Sequence, residues 1–162
     1  MSTKHERMQK MIRYYKRQTG KHEVDMHEVA KFAHEKGWAL PTPPDPLDLL
    51  ARQFSDAARE EVRDDKKTGR PYRANHAYPR MVNNQQVFYW LDIDDPKTPR
   101  HKMLKSAVNR REQMVGDGLQ LTLDLDHWNS IHPKLEPITL DMDLTDDIKW
   151  RKNAPSNEQG AA

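Results

Sequence analysis

Apolar residues recur at helical spacing through the first third of the chain, switch to strand-like alternation near its middle, and return to helical spacing beyond. Met8, Met11, Ile12 and Tyr15 follow an i, i+3, i+4, i+7 pattern and predict a first helix over 4–18, stopped at Gly20. A second helix is expected over 26–35. Asp25 would cap it with Glu28 as the capping-box partner, Val29, Ala30, Phe32 and Ala33 would form its buried side, and Gly37 would break it. Residues 37–46, GWALPTPPDP, carry four prolines, so they predict a rigid connector from which Trp38 and Leu40 plug the core.

A third helix is predicted over 47–65 after Asp45-Pro46. Its expected buried stripe is Leu47, Leu50, Ala51, Phe54, Ala57, Ala58 and Val62. Asp48, Arg52, Ser55, Arg59 and Arg63 line a second face. A basic turn, Lys66 to Arg70, leads into one irregular strand over 71–78. Asn83-Asn84 signals a hairpin, and the alternation of Val87, Tyr89, Leu91 and Ile93 with Phe88, Trp90 and Asp92 marks the return strand.

The next element is a long helix over 99–128, with Thr98 as cap and Pro99 in first position. Met114, Gly118, Leu121, Leu125 and Trp128 make a short coiled-coil-like seam along it, a candidate surface for a homodimer or a protein partner. A short strand over 138–142, a turn at Asp146 and Asp147, and a disordered tail from Arg151 complete the reading. The expected organisation is a domain over 1–96, a long helix with an acidic extension over 97–150, and a tail over 151–162. The fold class is α+β and mostly helical.

Composition narrows the function classes. Of 162 residues, 35% are hydrophobic and 32% charged, which predicts a modest core. The chain has no cysteine, which removes disulfides, thiolate zinc sites and a Cys nucleophile. No apolar run is long enough for a signal peptide or a membrane span, so a cytoplasmic protein without membrane contact is the expectation. Net charge is +2, but it is unevenly spread. Met1 to Lys21 holds seven Lys and Arg against Glu6, whereas residues 117–148 hold eight acids against Lys134. A basic start suits phosphate; an acidic end suits a protein partner or the chain's own basic face.

The order helix, helix, connector, helix, hairpin over about residues 4–94 resembles the winged helix-turn-helix family. The resemblance implies a core of three helices plus a β-hairpin, followed by the long helix and a short acidic C-terminal segment. It also implies a non-enzymatic protein whose third helix sits in the major groove of duplex DNA, with a wing near Asn83. On that reading Arg52, Arg59 and Arg63 read guanine edges, while Lys66, Lys67, Arg70, Arg73 and Arg80 meet phosphates, as in a bacterial transcriptional regulator or accessory factor. The connector is longer than the usual tight turn. Glu60, Glu61, Asp64 and Asp65 also dilute the positive field, with Glu60 able to pair with Arg63 along the helix. The chain is further similar to a group of uncharacterised bacterial proteins sharing AAREE, a TGRPYRANHA-like stretch and RREQMVGD, here residues 57–61, 68–77 and 110–117. That resemblance transfers no site.

Enzymatic chemistry has fewer anchors. His22, His27 and His34 lack the one-turn spacing of paired zinc ligands, and neither a metal nor another cofactor is expected. Asp124 and His127 share a helical face at i, i+3, an arrangement that ion pairing or capping explains. His76, between Arg73 and Arg80, is the candidate base for a metal-assisted nuclease, but no carboxylate pair with ligand spacing accompanies it. Gly-rich phosphate loops and GxSxG are absent. The leading expectation is therefore a DNA-binding protein, with an interaction adaptor built on the long helix and acidic end as the alternative.

Overall fold

The computed structural model describes residues 2–154. Among them are five helices and two small antiparallel sheets, so the fold is α+β and mostly helical. The chain divides into two compact units between Gln53 and Phe54, a boundary inside the third helix.

The first unit holds α1 (Lys4–Thr19), α2 (Met26–Glu35), the proline-rich connector and the start of α3 (Pro46–Glu60). Thr3 and Glu6 close a capping box on α1, and Gly20 ends it at φ 69°, a left-handed cap that glycine adopts without strain. Tyr15 on α1 and Val29 and Ala33 on α2 are buried, and the Tyr15 and Phe32 rings meet edge to face at 5.3 Å. Asp25 caps α2 through the His27 amide as expected, but Glu28 does not complete a capping box. Its carboxylate accepts from the Tyr15 hydroxyl at 3.0 Å and from Lys21 at 2.9 Å, which holds the two helices together. Lys21 and then Tyr15 draw the Glu28 carboxyl below its ordinary range. Trp38 and Leu40 line an apolar groove of about 470 Å³ with Met8, Ile12 and Met26, and Leu40 remains exposed.

The third helix differs from its prediction in length and in packing. It stops at Glu60, because residues 62–64 are drawn into a strand, and no residue of it is buried. Leu47, Leu50 and Phe54 stay 75%, 47% and 69% exposed. Amphipathic spacing specifies a helix whether or not a surface covers its stripe, so the periodicity was informative about conformation and not about burial.

In the second unit the expected irregular strand is two strands. β1 (Val62–Asp64) pairs with β2 (Pro71–Arg73), and β3 (Asn75–Val82) pairs with β4 (Gln85–Asp92). Ala74, fully buried, is the joint between them: its amide donates to the Glu61 carbonyl at 3.0 Å and its carbonyl accepts from Ile93 at 2.9 Å. The β1–β2 turn is built by Asp65, whose carboxylate accepts from the Lys67 amide at 2.7 Å, and by Gly69 at φ 69°. Asn83 and Asn84 both have positive φ, 49° and 60°, as a two-residue hairpin turn of the I′ kind requires.

The long helix α4 spans Arg100–Ile131. Its cap position is Pro99, while Thr98 donates its hydroxyl to the Asp92 carbonyl at 2.7 Å and ties the helix start to the end of β4. Ser106, buried, hydrogen-bonds the Ala77 carbonyl and so fastens α4 to β3. Beyond α4 the chain doubles back on it. Asn129 exchanges two 2.9 Å hydrogen bonds with the backbone of Ile138, and a Cβ at Gly118 would come within 3.0 Å of the Met142 terminal methyl. No strand forms at 138–142. Asp146 and Asp147 lie in the first turn of α5 (Thr145–Asn153), where carboxylates suit the helix dipole, and not in a turn. The expected tail therefore starts with Arg151 to Asn153 still helical, and residues 155–162 lie outside the described residues. No helix among the described residues is long and apolar enough to cross a membrane.

Candidate nucleic-acid interface

Two arginine environments form in the second unit, on opposite faces of one small ladder. Arg63 is opposite Tyr72, and Val62 is opposite Arg73. Side chains alternate between faces along a strand, so Arg63 and Tyr72 share one face and Arg73 points to the other.

On the first face Arg63 is enclosed by carboxylates. Its guanidinium makes a two-pronged contact with Asp92 at 2.8 and 3.0 Å, reaches Asp94 at 2.7 Å, and binds Glu61 at 2.8 Å. Tyr72 donates to Asp94 at 2.8 Å and Asn75 donates to Glu61 at 2.7 Å. Arg63 holds all three carboxyls below their ordinary range, with Asn75 adding to the effect on Glu61 and Tyr72 to that on Asp94. The same acids push Arg63 upward, Asp92 first, and the bond to Asp94 pushes the Tyr72 phenol upward. Arg63 is thus neither on the third helix nor paired with Glu60. Strand formation carries it to three acids, and its donors are engaged there.

On the other face lies a groove of about 440 Å³ between the end of α3, the β3–β4 hairpin and α4. Arg59, Arg73 and Arg110 reach it from three elements, with Asn75, Asn109 and Gln113 as polar neighbours and Phe88 and Trp90 as aromatic walls. Arg59 lies over the Trp90 ring at 5.4 Å and also binds Asp56 at 2.7 Å. Arg73 and Arg110 meet no carboxylate within salt-bridge distance among the described residues. His76 Nε2 is 2.9 Å from the Arg73 carbonyl. A carbonyl only accepts, so Nε2 is the donor in this contact. No carboxylate orients it as a triad would, and no cluster of three or more metal-ligating side chains occurs among the described residues.

The remaining expected residues are dispersed. Lys66 and Lys67 stand exposed at the tip of the β1–β2 turn, and Arg70 hydrogen-bonds Asn153 of α5 at 2.8 Å. A wide hollow of about 1070 Å³ beside that turn mixes these cations and Lys152 with Asp64, Asp65 and Asp94, so its sign is not uniform. Arg80 stacks over Tyr89 at 5.1 Å, and Arg52 belongs to the first unit. Asp124 accepts from Gln120 at 2.9 Å, its partner in place of His127. Of the candidate dimer residues, Met114, Leu121 and Trp128 are exposed and Leu125 is half-buried, with Trp128 stacked on His132 at 3.9 Å.

Arg110, Asn109 and Gln113 escaped the sequence reading. Ser106, Asn109 and Gln113 do recur at spacings of three and four, a polar stripe on a helix, which is the one local sign of a face turned to something polar. Comparison with protein-family models, with curated proteins and with solved structures gives no match.

Proposed function

We propose that the protein is a non-enzymatic nucleic-acid-binding protein of winged-helix-like type, a DNA-binding regulator or accessory factor that grips the sugar-phosphate backbone at the groove. The observation that carries this is the convergence of Arg73 and Arg110, without carboxylate partners among the described residues, beside the faces of Phe88 and Trp90. Guanidinium groups neutralise phosphates, and aromatic faces accept a sugar or an unstacked base. Arg59, poised on Trp90, adds a third charge, and the exposed Lys66-Lys67 tip adds contacts farther along the backbone. The hairpin turning at Asn83-Asn84 takes the part of the wing. Base-specific readout through Arg63 drops out of the proposal, because that side chain is bound by acids; backbone contact remains.

Titration of a fluorescent duplex at several salt concentrations tests it. Each phosphate contact contributes roughly −0.9 to the slope of log affinity against log salt, so Arg73→Ala with Arg110→Ala flattens the slope by about 2. An unchanged slope, or no binding of the intact protein at low salt, refutes the proposal.

A further inference from the structure

Around α4 three faces have three different fates. Lys102, Ser106, Asn109 and Gln113 turn to the hairpin: Lys102 lies 5.5 Å over the Tyr78 ring, Ser106 binds Ala77, and the other two line the groove. Gly118 and Asn129 turn to the returning C-terminal segment. A third stripe, Leu104, Val108, Val115, Leu119 and Leu123, is 49–60% exposed throughout. At 3.6 residues per turn it stands about 130° from the hairpin face. A continuous apolar stripe left exposed along a helix marks an interaction surface.

The charges of α4 say which one. From Arg100 to Gln113 the helix carries five Lys and Arg and one Glu; from Met114 to Ile131 it carries three Asp and neither Lys nor Arg. A helix charged oppositely at its two ends complements an inverted copy of itself. Pairing Leu104 with Leu123 of a second copy sets Val108 against Leu119 and brings His101 to Asp126, twice over by two-fold symmetry. A parallel pair would instead oppose like charges along its whole length. The stripe is about 29 Å long, so at a helix separation near 10 Å it supplies on the order of 600 Å² in total. Specific interfaces bury roughly 1,200 Å² or more. The exposed Ile138, Leu140 and Met142 lie in the segment along the neighbouring face and can extend the surface.

We infer that the protein is a two-fold homodimer in which α4 packs antiparallel on α4 of a second copy through Leu104, Val108, Val115, Leu119 and Leu123. This surface differs from the Met114, Leu121, Leu125, Trp128 seam, and it does not depend on the nucleic-acid reading. Sedimentation velocity of the full chain gives about twice the 19.1 kDa monomer mass, and Val115→Asp with Leu119→Asp halves it while the helical circular dichroism is kept. Orientation is read by disulfide trapping, clean because the chain has no cysteine. Leu104→Cys mixed with Leu123→Cys cross-links, whereas Leu104→Cys alone does not, its two copies lying about 29 Å apart. A monomer at about 100 µM, a dimer unaffected by the two aspartates, or trapping of Leu104→Cys with itself each overturns the inference.

Discussion

Arg63 and Arg73 sit on the two strands of one three-residue ladder, yet one is bound by three carboxylates and the other opens on a groove that offers it none among the described residues. The cause is the two-residue period of the strand: the face that takes Tyr72 takes Arg63 to Asp94, and the face of Val62 takes Arg73 to Phe88 and Trp90. Positive charge in a sequence therefore measures nothing until the partners are known. One arginine is tied to acids within the fold, and the other lines a groove without such a partner among the described residues.

Several experiments separate these two roles. The largest effect is expected at their shared joint. Ala74→Leu forces three extra carbon atoms into a fully buried position and destabilises by about 1–3 kcal/mol, as overpacking does, read from the denaturation midpoint. It disturbs both faces, so duplex binding falls with stability. Arg63→Ala comes next. It leaves Glu61, Asp92 and Asp94 close together without their counter-charge, so the thermal midpoint drops clearly, while the salt slope of duplex binding is unchanged. A variant that loses binding but not stability would invert the comparison.

Of the two faces of the ladder, acid should act on the Arg63 one. Glu61, Asp92 and Asp94 have folded pKa values below their unfolded ones, near 4, so their stabilisation is present above that pH and is lost as pH falls through the folded values. Chemical denaturation between pH 7 and pH 2 should show the decline, and Arg63→Ala should flatten it. The smallest effect is that of Tyr72→Phe, which removes one donor from Asp94. The Asp94 carboxyl, followed by NMR, then titrates at higher pH, and binding does not change.

Much of the local structure was legible in the chain. Gly20, Asp25, Pro46 and Asn83-Asn84 act through their own backbone preferences, so the bounds of α1 and α2, the start of α3 and the β3–β4 hairpin follow from neighbours in sequence. The end of α3 did not. Leu47 to Val62 has a helical period throughout, but Arg63 gains contacts with Asp92 and Asp94, some thirty residues away, only when residues 62–64 are extended. Long-range pairing of this kind leaves no mark in a local window. The same holds for Thr98, read as a cap but bound to the end of β4, and for the C-terminal segment, where Asn129 and Gly118 receive an extended chain and no strand forms.

The candidate site divides in the same way. The sequence suggested Arg59 as one of a helical stripe with Arg52 and Arg63, and Arg73 with Lys66 and Lys67 as phosphate-facing cations. It had no sign that Arg63 would be drawn to acids, or that Arg110 would face the groove, because α4 reaches the groove only through its packing on β3 by Ser106. Helix periods, caps and turn residues are short-range properties carried by each residue and its neighbours. Which arginine is neutralised, which faces a groove and which stripe of α4 is left uncovered depend on distances between residues far apart in the chain, and those are set when the elements pack.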